Sequence, residues 1–140
     1  MSKIAVVYWS GTGNTEEMAK QVAEGAKAVG ADVAMYMASE FSTDPIDTYD
    51  AIAFGCPSMG DEVLEESEFQ PMWDNVEPKL KGKRIALFGS YGWGDGEWMR
   101  NWENTCNNQG ISLACDCVIC NETPDDEAIE AGKSLGKALI

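Results

Sequence analysis

The feature that most narrows the fold is a repeated switch between short apolar runs and longer stretches with helical spacing, each switch marked by Gly, Pro or polar turn residues. Strand-like runs occupy residues 3–9, 32–37, 51–56, 84–89 and 111–119. Helical patterns occupy residues 15–29, 67–76 with Pro71 near the first turn, 96–109 and 125–139. Gly30 and Gly110 stand where helix C-termini need a left-handed residue. Residues 38–49 read as a loop with a short helix. Several strand runs are continuously apolar instead of alternating, as strands covered on both faces must be. Strand and helix in alternation around a buried sheet imply parallel strands and right-handed crossovers. The expected fold is therefore α/β, a three-layer, doubly wound sheet of five parallel strands in a single domain over residues 1–140. Such sheets bind ligands outside the carboxyl ends of their strands, where strand order reverses.

Three loops carry the chemistry. After the first strand comes Ser10-Gly11-Thr12-Gly13-Asn14-Thr15, followed at once by a helical pattern. Free backbone N–H groups, a helix dipole and several hydroxyls together make a cradle for a phosphate. The loop has no Gly-Lys-Ser/Thr, and Glu16 stands where a dinucleotide fingerprint needs its third Gly, so a nucleoside triphosphate site is disfavoured. It holds no Lys or Arg, so any phosphate rests on neutral donors. The loop after the third strand reads Cys56-Pro57-Ser58-Met59-Gly60-Asp61-Glu62, and that after the fourth reads Ser90-Tyr91-Gly92-Trp93-Gly94-Asp95-Gly96. Met59 and Trp93 on opposing loops can sandwich a large planar ring.

Charge excludes several classes. The 140 residues carry ten Lys plus Arg against twenty-four Asp plus Glu, a net charge of -14. Nucleic acid and anionic membrane surfaces are repelled, and a partner with a basic face is favoured. The absence of His removes Ser/His and Cys/His catalysis. No apolar run reaches membrane-span or signal-peptide length, and the odd count of five cysteines suits reduced thiols, so a cytoplasmic location is expected. Cys115, Cys117 and Cys120 invite a metal reading. On a strand, however, Cys115 and Cys117 would share one face and Cys120 the other, so packing thiols and no metal site are expected. A phosphoacceptor signalling domain would need clustered acids after the first strand and a Lys near the fifth, and neither is present.

Residues 10–15, Met59-Gly60-Asp61-Glu62 and Gly89-Ser90-Tyr91-Gly92-Trp93-Gly94 together resemble the flavodoxins, most closely the short-chain type of anaerobic bacteria, over nearly the whole chain. The resemblance implies strand order 2-1-3-4-5 and one non-covalently bound FMN. It makes Ser10, Thr12, Asn14 and Thr15 the phosphate ligands, with Gly11 and Gly13 shaping their loop and Ser90 toward the ribityl and phosphate end. Met59 and Trp93 would flank the ring. Glu62 would accept from flavin N3, and backbone groups of Asp61, Gly92 and Trp93 would meet the polar edge. Ser58, Tyr91 and Gly94 complete the two ring loops. Pro57 replaces a Ser of some relatives and is not counted as a ligand. The peptide joining Gly60 to Asp61 would rotate to offer a carbonyl to flavin N5.

The function implied is a low-potential one-electron carrier, not an enzyme, cycling mainly between neutral semiquinone and hydroquinone. Its partners would be basic-faced reductases and ferredoxin-dependent enzymes, and the chain a monomer. With no Lys or Arg expected near the ring, the acids Asp61, Glu62, Glu65, Glu66, Glu68, Asp95 and Glu97 would penalise an anionic reduced flavin. The alternative is an FMN-dependent NAD(P)H oxidoreductase acting on quinones or nitro compounds. That reading needs an open flavin face, which a stacked Trp93 would close.

Overall fold

A computed structural model describes residues 2–60 and 62–140. Five parallel strands, β1 (Lys3–Tyr8), β2 (Asp32–Met37), β3 (Ala51–Gly55), β4 (Arg84–Tyr91) and β5 (Val118–Asn121), form one sheet in the order β2-β1-β3-β4-β5. The helices are α1 (Asn14–Ala28), α2 (Phe69–Val76), α3 (Glu97–Asn108) and α4 (Asp126–Ala138). None of them is long and apolar enough to cross a membrane.

The unalternating apolar strands have a direct explanation. Successive residues feed two cores on opposite faces. Ala5, Val7, Ile52, Phe54, Ile85 and Leu87 face α2 and α3, whereas Ile4, Val6, Ala51, Ala53, Ala86 and Phe88 face α1 and α4. The α2/α3 core is aromatic: Phe41, Phe54, Trp73, Trp102 and Phe69 meet in edge-to-face pairs with centroids 5.1–6.2 Å apart. Trp102 Nε1 is buried without a polar partner among the described residues. Its ring stands edge-to-face on both Phe69 and Trp73. Residues 38–49 contain two 3₁₀ turns, Ala38–Glu40 and Ile46–Thr48, and pin this core through Phe41, Ile46 and Tyr49.

Three expectations need correction. The fifth strand does not run from 111 to 119. Ile111–Leu113 approaches the start of β4, where Ile85 N–H donates to Ser112 O and Leu113 bridges to Ile85, and the chain leaves the sheet before rejoining it at Val118. The side chains reflect the break. Cys115 packs against the α1/α4 core and Cys117 against the α2/α3 core, so the two cysteines lie on opposite sides of the sheet and not on one face as expected. The fourth strand extends two residues beyond 89, making Ser90 and Tyr91 part of β4.

On the other face, α1 and α4 touch backbone to backbone. A Cβ on Gly136 would collide with Val22 O, and one on Gly25 with Lys133 O, whereas one on Gly132 would reach Gln21 Cβ at an ordinary 3.4 Å. Glycine is thus required by proximity at 25 and 136 but not at 132. Gly136→Ala should destabilise the fold by about 1–3 kcal/mol because neither backbone can yield alone. Gly132→Ala should be neutral or stabilising by up to ~1 kcal/mol through helix propensity. Urea midpoints of the two variants check the contrast.

Candidate functional site

Because all strands are parallel, their carboxyl ends share one edge, and the reversal of strand order beside β1 opens a crevice between the loops after β1, β3 and β4. There lies a cavity of about 470 Å³, within the range of small-molecule sites. It is lined by Gly11, Thr12, Asn14 and Thr15 after β1, by Pro57, Ser58 and Met59 after β3, and by Ser90, Tyr91 and Gly92 at the end of β4. Trp9, Glu122 and Thr123 complete it.

The loop after β1 is built to leave donors free. Gly13 caps α1 with φ of +96°, a left-handed position open to Gly at little cost, and no side chain caps the helix. Ser10 braces the loop from within: its Oγ accepts from Gly13 N–H at 3.1 Å and Glu16 N–H at 3.2 Å, leaving its own O–H to donate. None of the described residues accepts from the backbone N–H of Gly11, Thr12, Asn14 or Thr15. The Thr15 and Ser90 hydroxyls lie 2.7 Å apart and join this loop to β4. Dipole, amides and hydroxyls therefore converge, and the lining contains no Lys or Arg. Among the described residues, Glu122 contributes the one carboxylate of the lining.

A family model described as Flavodoxin matches residues 6–134. The chain belongs to the flavodoxin family. It is 46% identical over 133 residues to the flavodoxin of Clostridium beijerinckii, covering 93% of this chain and 96% of that protein. To Megasphaera elsdenii flavodoxin it is 44% identical over 137 residues, covering 96% and 99%. The solution structure of two-electron reduced Megasphaera elsdenii flavodoxin matches with a TM-score of 0.89 at 46% identity, covering 97% of each chain. A flavodoxin from the domain Archaea matches with a TM-score of 0.85 at 26% identity, covering 98% of this chain and 95% of that one. Flavodoxins are FMN-binding electron carriers that work with redox partner proteins and are not enzymes, so this chain is a small FMN-binding electron carrier and the oxidoreductase alternative is not favoured.

Other expected site residues of this flavodoxin lie outside the cavity lining. Trp93 is 63% exposed at its rim, beside Gly94. Gly60 is exposed with φ of +43° and has open space where a Cβ would stand. Asp61 lies outside the described residues. Glu62 is buried with φ of +57°, and its Oε1 accepts from Asp95 N–H at 3.2 Å beneath Gly94. Burial and a hydrogen bond shared with Glu97 push its carboxyl above the usual carboxylate range. Arg100, one turn into α3 and outside the cavity lining, reaches back to Asp95 with Nη2 3.0 Å from Oδ1 and Nη1 3.0 Å from the backbone carbonyl. Spacing along a helix conceals such contacts until α3 is placed. Among the described residues no three His, Cys, Asp or Glu converge as a metal site. Cys117 donates to Glu103 at 3.2 Å, and burial pushes its thiol well above the usual range.

The acidic run after β3 is not uniformly a surface. Glu65 is 5% exposed and anchors the start of α2, accepting from Glu68 N–H at 2.7 Å, Phe69 N–H at 2.8 Å, Ser67 N–H at 2.9 Å and the Ser67 hydroxyl. Burial works against ionisation, but these donors outweigh it and hold the carboxyl below its ordinary value of 4.5. A lowered folded value means that the stabilisation is complete above pH 4.5 and fades as pH falls through the folded value. Glu65→Ala should cost about 1–3 kcal/mol at pH 7, from a lost helix anchor and orphaned amides. Urea unfolding at descending pH should show the difference from the parent shrinking once pH passes below 4.5.

Proposed function

We propose that residues 1–140 form one FMN-binding domain that acts as a low-potential one-electron carrier, with the cofactor's terminal phosphate in the cradle of residues 10–15. The observation that carries this reading is a cradle rich in free amides and hydroxyls, in a cavity whose lining lacks Lys and Arg. The donor set fits a phosphate ester, because several neutral donors and a helix dipole can hold a dianion without a counterion. Thr12, Asn14 and Thr15 donate directly, Ser10 supports and supplements them, and Gly11 and Gly13 give their backbone. Ser58 and Ser90 serve the sugar end. Met59 and Trp93 take opposite faces of the ring, with Tyr91, Gly92 and Gly94 shaping the second loop. Glu62 and backbone groups of Asp61, Gly92 and Trp93 meet the ring's polar edge, and Gly60 gives the adjoining peptide freedom to turn.

When bound, FMN supplies the electron-accepting ring. The chain supplies its electrostatic setting. Glu62, Glu66, Asp95, Glu97 and Glu122 disfavour negative charge accumulating on the ring, and Arg100 is taken up by Asp95, so the potential of the more reduced state is lowered. The same acids favour basic-faced redox partners, the net charge of -14 favours a monomer, and five free thiols suit a reducing compartment such as the cytoplasm.

Two substitutions test the two ends of the site. Thr12→Ala should weaken FMN by roughly tenfold or more while leaving riboflavin nearly unchanged, since a hydrogen bond to a charged group is worth about 1.5–3 kcal/mol. Trp93→Ala should weaken both flavins alike by roughly 1–3 kcal/mol. Fluorescence titrations with each flavin measure both effects, and equal losses of FMN and riboflavin in Thr12→Ala would remove the phosphate from the cradle.

The acidic rim is tested separately at Glu66, which is exposed where Glu65 is not. Glu66→Lys should slow electron transfer to a basic haem protein about two- to threefold at low salt, with the difference vanishing as the Debye length shrinks from ~10 Å towards ~3 Å. Stopped-flow rates against ionic strength report it.

A further inference from the structure

Trp9 belongs to no part of the proposed ligand set, yet it lines the cavity and is fixed at three points. Its backbone N–H continues the β ladder to Gly55 O at 3.0 Å. Its ring packs against the α2/α3 core. Its indole Nε1 donates to Glu68 Oε1 at 3.0 Å, across fifty-nine residues of sequence. The far edge of the same ring supports the cradle: a Cβ built on Gly11 would stand 3.1 Å from Trp9 Cη2 and 3.2 Å from Cζ3. Glu68 is in turn located by its own amide, which donates to Glu65 at 2.7 Å. Glu68 and the Trp9 indole therefore link the start of α2 to the side of Gly11 on which a Cβ would stand.

We infer that Glu68 and Trp9 are positioning residues for the cofactor phosphate, a brace that sets the height of the Gly11 and Thr12 amides from the opposite side of the crevice. This inference rests on the cradle reading given above. The strand end alone does not fix those amides, because none of the described residues accepts from them. A rigid aromatic plate beneath Gly11 limits how far the loop can sink, and the carboxylate of Glu68 keeps the plate from turning about its side-chain bonds. The brace needs an acceptor at Glu68, and the negative charge itself is a cost, because it lies on the side of a bound dianion. The two effects of removing that carboxylate therefore have opposite signs. Loss of charge strengthens FMN binding, and loss of position weakens it. This opposition lets an experiment separate them.

The full chain freed of flavin is titrated with FMN and with riboflavin for the parent, Glu68→Leu, Glu68→Gln, Trp9→Phe, the Trp9→Phe/Glu68→Leu double variant and the Thr12→Ala control. Glu68→Leu should raise the FMN dissociation constant on the order of tenfold, and the riboflavin constant by less than about twofold, because only the phosphate amides are displaced. Glu68→Gln keeps an acceptor and should stay within about twofold of the parent or bind more tightly. Trp9→Phe loses both the indole N–H and the Cη2–Cζ3 edge beneath Gly11 and should weaken FMN at least as much as Glu68→Leu, and the double variant should lose no more than Trp9→Phe alone, as members of one unit do. Unchanged or tighter FMN binding by Glu68→Leu, or equal losses for both flavins, would overturn the brace. If Thr12→Ala separates the two flavins and Glu68→Leu does not, the brace fails alone. If Thr12→Ala does not separate them either, the cradle reading fails and the brace falls with it.

Discussion

The rest of the structure depends on covering a parallel sheet from both sides. Once helices seal both faces, each strand contributes side chains to two dry cores in turn, and polar residues can collect only where strands end. Parallel strands end together. Amides, hydroxyls and carboxylates from loops far apart in sequence thus gather at one edge, beside the point where chain order reverses. Thr15 and Ser90, seventy-five residues apart, meet through their hydroxyls for this reason.

Much of this was legible in the sequence. The strands follow from runs whose apolar character does not alternate, because that pattern reflects burial on both faces, the four helices follow from the helical spacing between those runs, and the strand order is what the resemblance to the flavodoxins implies. Nine of the expected site residues line the cavity: Gly11, Thr12, Asn14, Thr15, Ser58, Met59, Ser90, Tyr91 and Gly92. What escaped depends on side-chain direction, which spacing does not encode. Glu65 reads as one more surface acid until the turn of α2 folds four donors onto it. Arg100 reads as remote until a helical turn brings it back to Asp95. Trp9 reads as the last residue of a strand, and its reach to Glu68 depends on α2 lying across the crevice. The interruption before β5 is also invisible, since Cys115 and Cys117 are equally at home in either core.

The distribution of carboxylates shows how one residue type does different work a few positions apart. Glu65 is a buried anchor held ionised by amides. Glu62 is buried beside another carboxyl and is pushed the other way. Glu66 stays in solvent. A run of like residues is therefore several environments, and a charge count overstates the surface field while missing the part that fixes local structure.

The interruption near β5 also bears on what the sheet presents to other molecules. An outer strand normally leaves a row of unpaired amides and carbonyls that a second chain can extend. Here that outer strand is four residues long, and the segment before it bends away after touching β4 at Ile85. Its register is broken midway, so an incoming strand would find hydrogen-bonding partners over barely half of the sheet's height. The irregularity that made this stretch hard to read thereby acts as a guard against growth of the sheet along that border.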